Sequence, residues 1–260
     1  MPAAGPVGAR LPFGPGVPRR GWQDGAVLLA IDTSADVAVS LVALGEAGVG
    51  AGTVLAFRRA RERRRHAELL APMIAEVLAE AGIHRADLRA VVVGTGPAPF
   101  TGLRAGLVTA RTLGFALGIP VHGVCSLDAL AAQAFAAGVA TDGDVLVVSD
   151  ARRREVYAAR YRAAGQTEGT DVACVAGPLV DTPAVVAATL APGAVVVGPG
   201  AVLYPEVLVA APGAPTEIDP AVLAALAITR AARGTELPTE PLYLRRPDVT
   251  PSASSKRVTG

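Results

Sequence analysis

Two turns in this chain carry residue types that handle phosphate. Asp32-Thr33-Ser34 ends the run VLLAID and offers one carboxylate for a hydrated cation beside two hydroxyls for phosphate oxygens. Asp150 ends a second valine-rich run, DVLVVSD, much later in the chain. Read chemically, the two acids would hold a magnesium–nucleotide from opposite sides, as an active ATPase or small-molecule kinase requires. The plainer alternative is a pair of turns in which Asp and Ser satisfy local backbone groups. A third stretch, GTGPAPFTGLRAG (94–106), leads from a valine run into a helix-like segment. It is not a Walker A loop, because that motif needs a lysine and the only lysine is Lys256. It does not match GxGxxG either, and Pro97 and Pro99 lack the N–H groups that would cradle an anion.

Other chemistry is thinly represented. His66, His84 and His122 have no metal-ligand spacing, and no nucleophile–base pair or protease constellation is visible. Cys125 and Cys174 form no CxxC and sit in apolar stretches, so buried free thiols in a reducing cytoplasm are expected, with no zinc site. Arginines 58, 59, 61, 63, 64 and 65 could meet RNA phosphates or be solvated charge on a loop. No aromatic residues interleave them.

The elements that must position these residues alternate. VLLAIDTS (27–34) and DVAVSLVAL (36–44) read as a hairpin, with a third strand in VGAGTVLAF (49–57). A helix at about 66–81, a strand at 90–94, a helix at 103–117, a strand at 121–125 and a helix at 126–138 follow. The pattern then restarts with strand, tight turn and strand at 144–161, a helix near 183–190, a strand in AVVVGPGA (194–201) and a helix at about 220–232. Each half opens with a hairpin bearing an acid, so a duplicated α/β lobe with a mixed sheet is expected. The lobes are assigned to 26–138 and 139–232. The segment at about 233–250, with its extended PLYLRRP, can return to the first lobe.

Length and composition agree. Two hundred and sixty residues, 51% hydrophobic, suffice for two lobes around a sizeable core. A net charge of +1 gives no general attraction to nucleic acid or membrane, and no run reaches the roughly 20 apolar residues of a membrane span. Eleven of the first 25 residues are Gly or Pro, without an apolar signal core, so 1–25 reads as a disordered extension and 251–260 as a flexible tail.

Two helices have unusual surfaces. Gly102, Gly106, Ala110, Gly114 and Gly118 recur every fourth residue, leaving one ridge bare for a close-packed backbone. That backbone is either a partner's or the chain's own. On 66–81, Leu69, Leu70, Met73, Ile74, Val77 and Leu78 span half the cylinder, wider than the stripe of about 100° that one core needs. Part of that arc is expected to stay uncovered for a partner.

LLAIDTSADVAVSLV, HAELLAPMIAEVL, GPAPFTGLRAGLVTARTLGFALGIPVHGV, DARRREVYAARY and PLYLRRPDV, in that order, resemble the TsaB family of bacterial tRNA threonylcarbamoyladenosine biosynthesis proteins over about residues 27–250. The resemblance implies a two-lobed fold of the actin, sugar-kinase and heat-shock ATPase class. It implies a non-catalytic paralogue of TsaD, the subunit that transfers the threonylcarbamoyl group to the adenosine next to the anticodon. TsaB-like proteins dock TsaD through N-lobe helices, self-associate through the same surface, and have the ATPase TsaE as a further partner. The implied interface maps to Leu69, Leu70, Met73, Ile74 and Val77 on 66–81 and to Gly102, Gly106, Ala110 and Gly114 on 103–117. Where TsaD-like subunits carry an HxxxH metal pair, this chain has Ser126 and Leu130, so no catalytic residue and no metal are expected. Two departures stand out. Gly96-Pro97-Ala98-Pro99-Phe100-Thr101-Gly102 replaces GPGSFTG, and VVVGPGA resembles an adenosine-binding GG loop with Pro199 in place of its second glycine. Asp32, Thr33, Ser34, Asp150 and Gly198 thus read as a vestigial nucleotide site, with no cofactor and at most weak or interfacial nucleotide binding. Contact with tRNA is expected to be indirect or through the 58–65 arginines.

Overall fold

The computed structural model describes residues 25–45, 52–61, 65–141, 143–164 and 171–245. The expected extension (apart from Gly25), the expected tail, and Arg63 and Arg64 of the arginine run lie outside the described residues.

Two mixed sheets carry the fold. β1 (Val27–Asp32) pairs antiparallel with β2 (Val37–Ala43), which pairs antiparallel with β3 (Thr53–Ala60). β4 (Leu88–Gly94) and β5 (Val121–Val124) continue parallel to β1, giving the order β3-β2-β1-β4-β5. In the second sheet β6 (Val145–Arg152), β7 (Glu155–Ala163), β8 (Val172–Asp181) and β9 (Val195–Val197) take the order β8-β7-β6-β9, with the same directions. The expected duplication is therefore real: hairpin, third strand, then a parallel return beside the first. β1 and β4 are buried on both faces, which is why VLLAI and AVVV read as unbroken apolar runs.

Helices fill three layers. α1 (His66–Ala81) and α2 (Phe100–Leu117) cover the outer face of the first sheet, and each ends on a left-handed glycine, Gly82 and Gly118. α3 (Ser126–Ala136) and α6 (Pro220–Ala232) lie between the sheets, where Leu130 and Leu226 join Leu28, Val92, Val147 and Tyr161 in one core. The side chain of Asp219 caps Ala221 N–H and Pro220 opens α6. The short α4 (Pro183–Ala187) and α5 (Pro199–Leu203) cover the far face of the second sheet.

Packing corrects several expectations. α3 packs on β6, β7, β8 and β9, whereas α6 packs on β1, β2, β4 and β5. Each lobe thus lends a helix to the other sheet, and boundaries at 138/139 and 232 do not follow the packing. β3 runs on through Arg58 and Arg59, so these arginines belong to a strand and not a loop. α2 starts three residues earlier than expected, at Phe100.

The uncovered arc on α1 is also corrected. Leu70, Met73, Ile74 and Val77 are buried, with only Leu69 and Leu78 half-buried. The physical reason is that α1 rests on β2 and β3 while flanked by α2, so two surfaces cover it. The glycine ridge of α2 likewise faces the chain itself, except at exposed Gly118, where a Cβ would meet nothing. A Cβ at Gly106 would collide with Thr33, one at Gly114 with Val121, and one at Gly102 would press on Thr33 O at 3.1 Å. Ala110, between them, is fully buried.

Candidate functional site

The parallel strands β1, β4 and β5 all point their carboxyl ends at one cleft, where open α/β sheets hold ligands. Asp32 ends β1 and is 2% exposed. Its Oδ2 accepts 2.6 Å from Ser126 Oγ; its Oδ1 accepts 2.9 Å from Ser34 N–H and 2.6 Å from Ser34 Oγ. Ser126, the first residue of α3, is held in turn by the loop after β4: its N–H donates to Gly96 O at 2.8 Å, and its Oγ accepts from Gly96 N–H at 3.3 Å. Gly94 is required here, because a Cβ would overlap Asp32 Oδ2. Burial pushes the Asp32 carboxyl above its ordinary range, against the pull of both serines and of the Arg59 charge.

Asp150, the matching acid of β6, is half-buried and accepts from Arg152 N–H at 2.8 Å, with the Arg152 guanidinium 3.2 Å from its other oxygen. Burial and the Asp150 charge raise the hydroxyl of neighbouring Tyr157. Thr33 is 1% exposed, and its Oγ1 has no hydrogen-bond partner. Gly198 adopts φ 101° against Val148 O and donates its N–H to Pro215 O at 2.9 Å.

Four of the five sequence-predicted cleft residues, Asp32, Thr33, Ser34 and Asp150, line two adjoining cavities, and Gly198 lines neither. Thr33, Ser34, Gly102, Asp150 and Pro199 line a cavity of about 170 Å³. Asp32, Arg59, Glu217, Pro199 and Leu203 line its larger neighbour of about 400 Å³. The donor set is a poor match to a magnesium–nucleotide. Both Asp32 oxygens are occupied by serines, Asp150 is bonded to an arginine, and the Gly198 N–H is used within the chain. Among the described residues no three His, Cys, Asp or Glu side chains group as metal ligands.

Ser126 as the partner of Asp32 was not legible in the sequence; the only signal was its position where the resemblance implies a histidine. The described arginines of the 58–65 run bond to the chain's own acids. Arg58 pairs with Glu76 and Glu80, Arg59 and Arg61 with Glu217, and Arg65 with Glu68. Residues 235–245 form a strap along the first sheet and across the cleft. Leu242 N–H bonds Thr95 O at 2.9 Å, Gly123 N–H bonds Leu237 O at 3.0 Å, and Arg245 reaches Glu155 in the second sheet. On the outer face of α2, Val108 is 61% and Phe115 92% exposed. Alanines 67, 71, 75 and 79 are exposed on α1.

The sequence model of the family described as "TsaD: tRNA N6-adenosine threonylcarbamoyltransferase" matches residues 60–202, more than half of the chain. The chain belongs to the TsaD family. Within that family it is TsaB-like. It is 35% identical to TsaB of Bacillus subtilis over 135 residues, 52% of this chain and 55% of that protein. It is 34% identical to TsaB of Escherichia coli over 135 residues, 52% of this chain and 54% of that one. An uncharacterised Mycobacterium tuberculosis protein is 43% identical over 235 residues, 88% of this chain and 96% of that protein. Among solved structures, YeaZ from Pseudomonas aeruginosa superposes with a TM-score of 0.65 at 29% identity, covering 84% of this chain and all (100%) of that one. The TsaD family assignment thus agrees with the two-lobed, actin-like architecture. Among the described residues no helix is long and apolar enough to cross a membrane.

Proposed function

We propose that this chain is a non-catalytic subunit in tRNA threonylcarbamoyladenosine biosynthesis, docking a TsaD-type transferase through the outer face of α1 and α2. The observation that carries the reading is Phe115, a large apolar side chain left 92% exposed two turns beyond exposed Val108 on the same helix face. Exposed apolar side chains that share one face mark interaction sites where scattered ones do not, and aromatic anchors dominate protein interfaces. Beside it the small side chains of α1 leave a low surface on which another helix can lie close. The docking residues are thus reassigned: Val108 and Phe115 with half-buried Leu69 replace Leu70, Met73, Ile74, Val77 and the glycine ridge. Self-association would use the same face, and TsaE would join as a third component.

A non-catalytic role is supported by the cleft. Ser126 and Leu130 stand at the HxxxH place, with Leu130 in the core and Ser126 committed to Asp32. Light scattering of the chain, alone and mixed with its TsaD, tests the reading. A heterodimer formed at the expense of self-association, and lost in Phe115→Arg, is expected. Undiminished pairing of that variant would sink the assigned surface, and no complex at all would sink the subunit role.

One observation favours a second reading. The acids of the two hairpins face adjoining cavities, Asp32 the larger and Asp150 the smaller, as a magnesium–nucleotide held between the two sheets would need. Steady ATP turnover by the pure chain, abolished in Asp32→Ala, would make it an ATPase or kinase; absence of turnover removes that reading.

A further inference from the structure

The tip of the β6–β7 hairpin breaks the usual rules of turn chemistry. Arg152, Arg153 and Arg154 all have positive φ, at 63°, 54° and 62°. Tight hairpins of this kind normally place Asn or Gly at such positions, because a side chain in the left-handed region crowds its own backbone. Three exposed arginines are kept there in spite of that strain. Beside the tip lies a cavity of about 230 Å³ lined by Phe100, Arg152, Arg153, Tyr157, Tyr243 and Arg245. At its rim three flat groups stack. The Arg104 guanidinium sits 3.6 Å from the Phe100 ring centre and donates to Tyr243 OH at 3.0 Å, and the two rings are 4.7 Å apart.

We propose that this arginine tip and ring stack form a binding platform for single-stranded RNA. Around the cavity, the guanidinium groups of residues 104, 152, 153, 154 and 245 outnumber the carboxylates of Asp150 and Glu155, which bond Arg152 and Arg245. A polyanion therefore gains net attraction. The ring stack selects among polyanions: unpaired bases stack on aromatic and guanidinium faces, and an acidic peptide has no such face to offer. Arg104 also lies one turn before Val108 on α2, so bound RNA would run beside the proposed protein-docking face. That juxtaposition rests on the TsaD-docking reading and would deliver a tRNA loop to the partner; the platform does not depend on it.

The test is fluorescence anisotropy of the full chain with a labelled single-stranded RNA across a salt series. Binding should weaken steeply with salt, and Arg154→Glu and Tyr243→Ala should each lower affinity roughly tenfold, while Tyr243→Phe retains it. Arg154→Gly is the sharper variant: it should lower RNA affinity while raising the melting temperature, since glycine relieves the turn. Absence of binding, salt-insensitive binding, or equal binding by all variants would overturn the platform. An acidic peptide bound as tightly as RNA, with the same dependence on Tyr243 and Arg154, would overturn it in favour of a protein partner. TsaD pairing is measured on the same samples by light scattering. Arg154→Glu should pair normally, so loss of RNA binding and loss of pairing are separable failures.

Discussion

Ser126 Oγ donates to Asp32 Oδ2 over 2.6 Å, joining the first residue of α3 to the last of β1 across 94 positions of sequence. The side chain standing where the family resemblance implies a metal histidine thus satisfies the one carboxylate best placed to hold a cation. This is a structural bond in a buried pocket. Ser126→Ala should destabilise the fold by about 1.5–3 kcal/mol in urea unfolding, because one oxygen of a buried carboxylate loses its donor. Gly94→Ala should do at least as much harm, since the added methyl overlaps the same oxygen. A neutral outcome for both would return Asp32 to the list of ligand-binding groups.

Asp32 should also leave a mark on the pH dependence of stability. Its folded-state value lies above the ordinary 3.8 because burial penalises the charge. The folded chain therefore binds this proton more tightly than the unfolded chain. Its contribution is complete below 3.8 and is lost as pH rises through the folded-state value. Urea unfolding of wild type and Asp32→Asn across that window should show wild type losing stability relative to the variant, then running parallel above it. A constant difference at all pH values would contradict the assignment.

Phe115→Arg and Met73→Arg separate surface from core. Phe115 is 92% exposed, so its replacement should change stability by no more than about 0.5 kcal/mol while abolishing association. Met73 is 4% exposed on the buried face of α1, and an arginine there leaves an unpaired buried charge worth roughly 3–5 kcal/mol. Light scattering and urea unfolding of the two variants should give opposite results.

Arg230 ties the layers together. On α6, it donates to Asp128 of α3 at 2.6 Å and to Asp171, just before β8, at 2.9 Å, while Tyr161 OH holds the other Asp128 oxygen at 2.8 Å. Arg230→Met should cost about 3 kcal/mol, chiefly by leaving buried Asp128 without its cation, since Asp171 keeps Arg233 at 2.8 Å. Adding Asp128→Asn should recover part of the loss, and an unchanged double variant would show that Asp171 carries the effect.

Much of this architecture follows from local pattern. The runs VLLAID and AVVVG, the helices 66–81 and 220–232 and the acid-bearing hairpins lie where the chain's own periodicity puts them, and their repetition announces two related sheets. Residue order also brings Asp32, Thr33, Ser34 and Asp150 to strand ends, where they share a cleft. What periodicity cannot carry is which surface meets which. The same apolar arc on α1 suits a partner or a sheet edge flanked by α2, and only packing shows Leu70, Met73, Ile74 and Val77 covered. The bare ridge of α2 could face any backbone; it faces Thr33 and Val121. The exchange of α3 and α6 between sheets, the Ser126–Asp32 bond and the stack of Phe100, Arg104 and Tyr243 each join residues far apart in the chain. Pattern within a window reports what a segment can bury or bond, and the identity of its neighbour depends on how the distant segments fold around it.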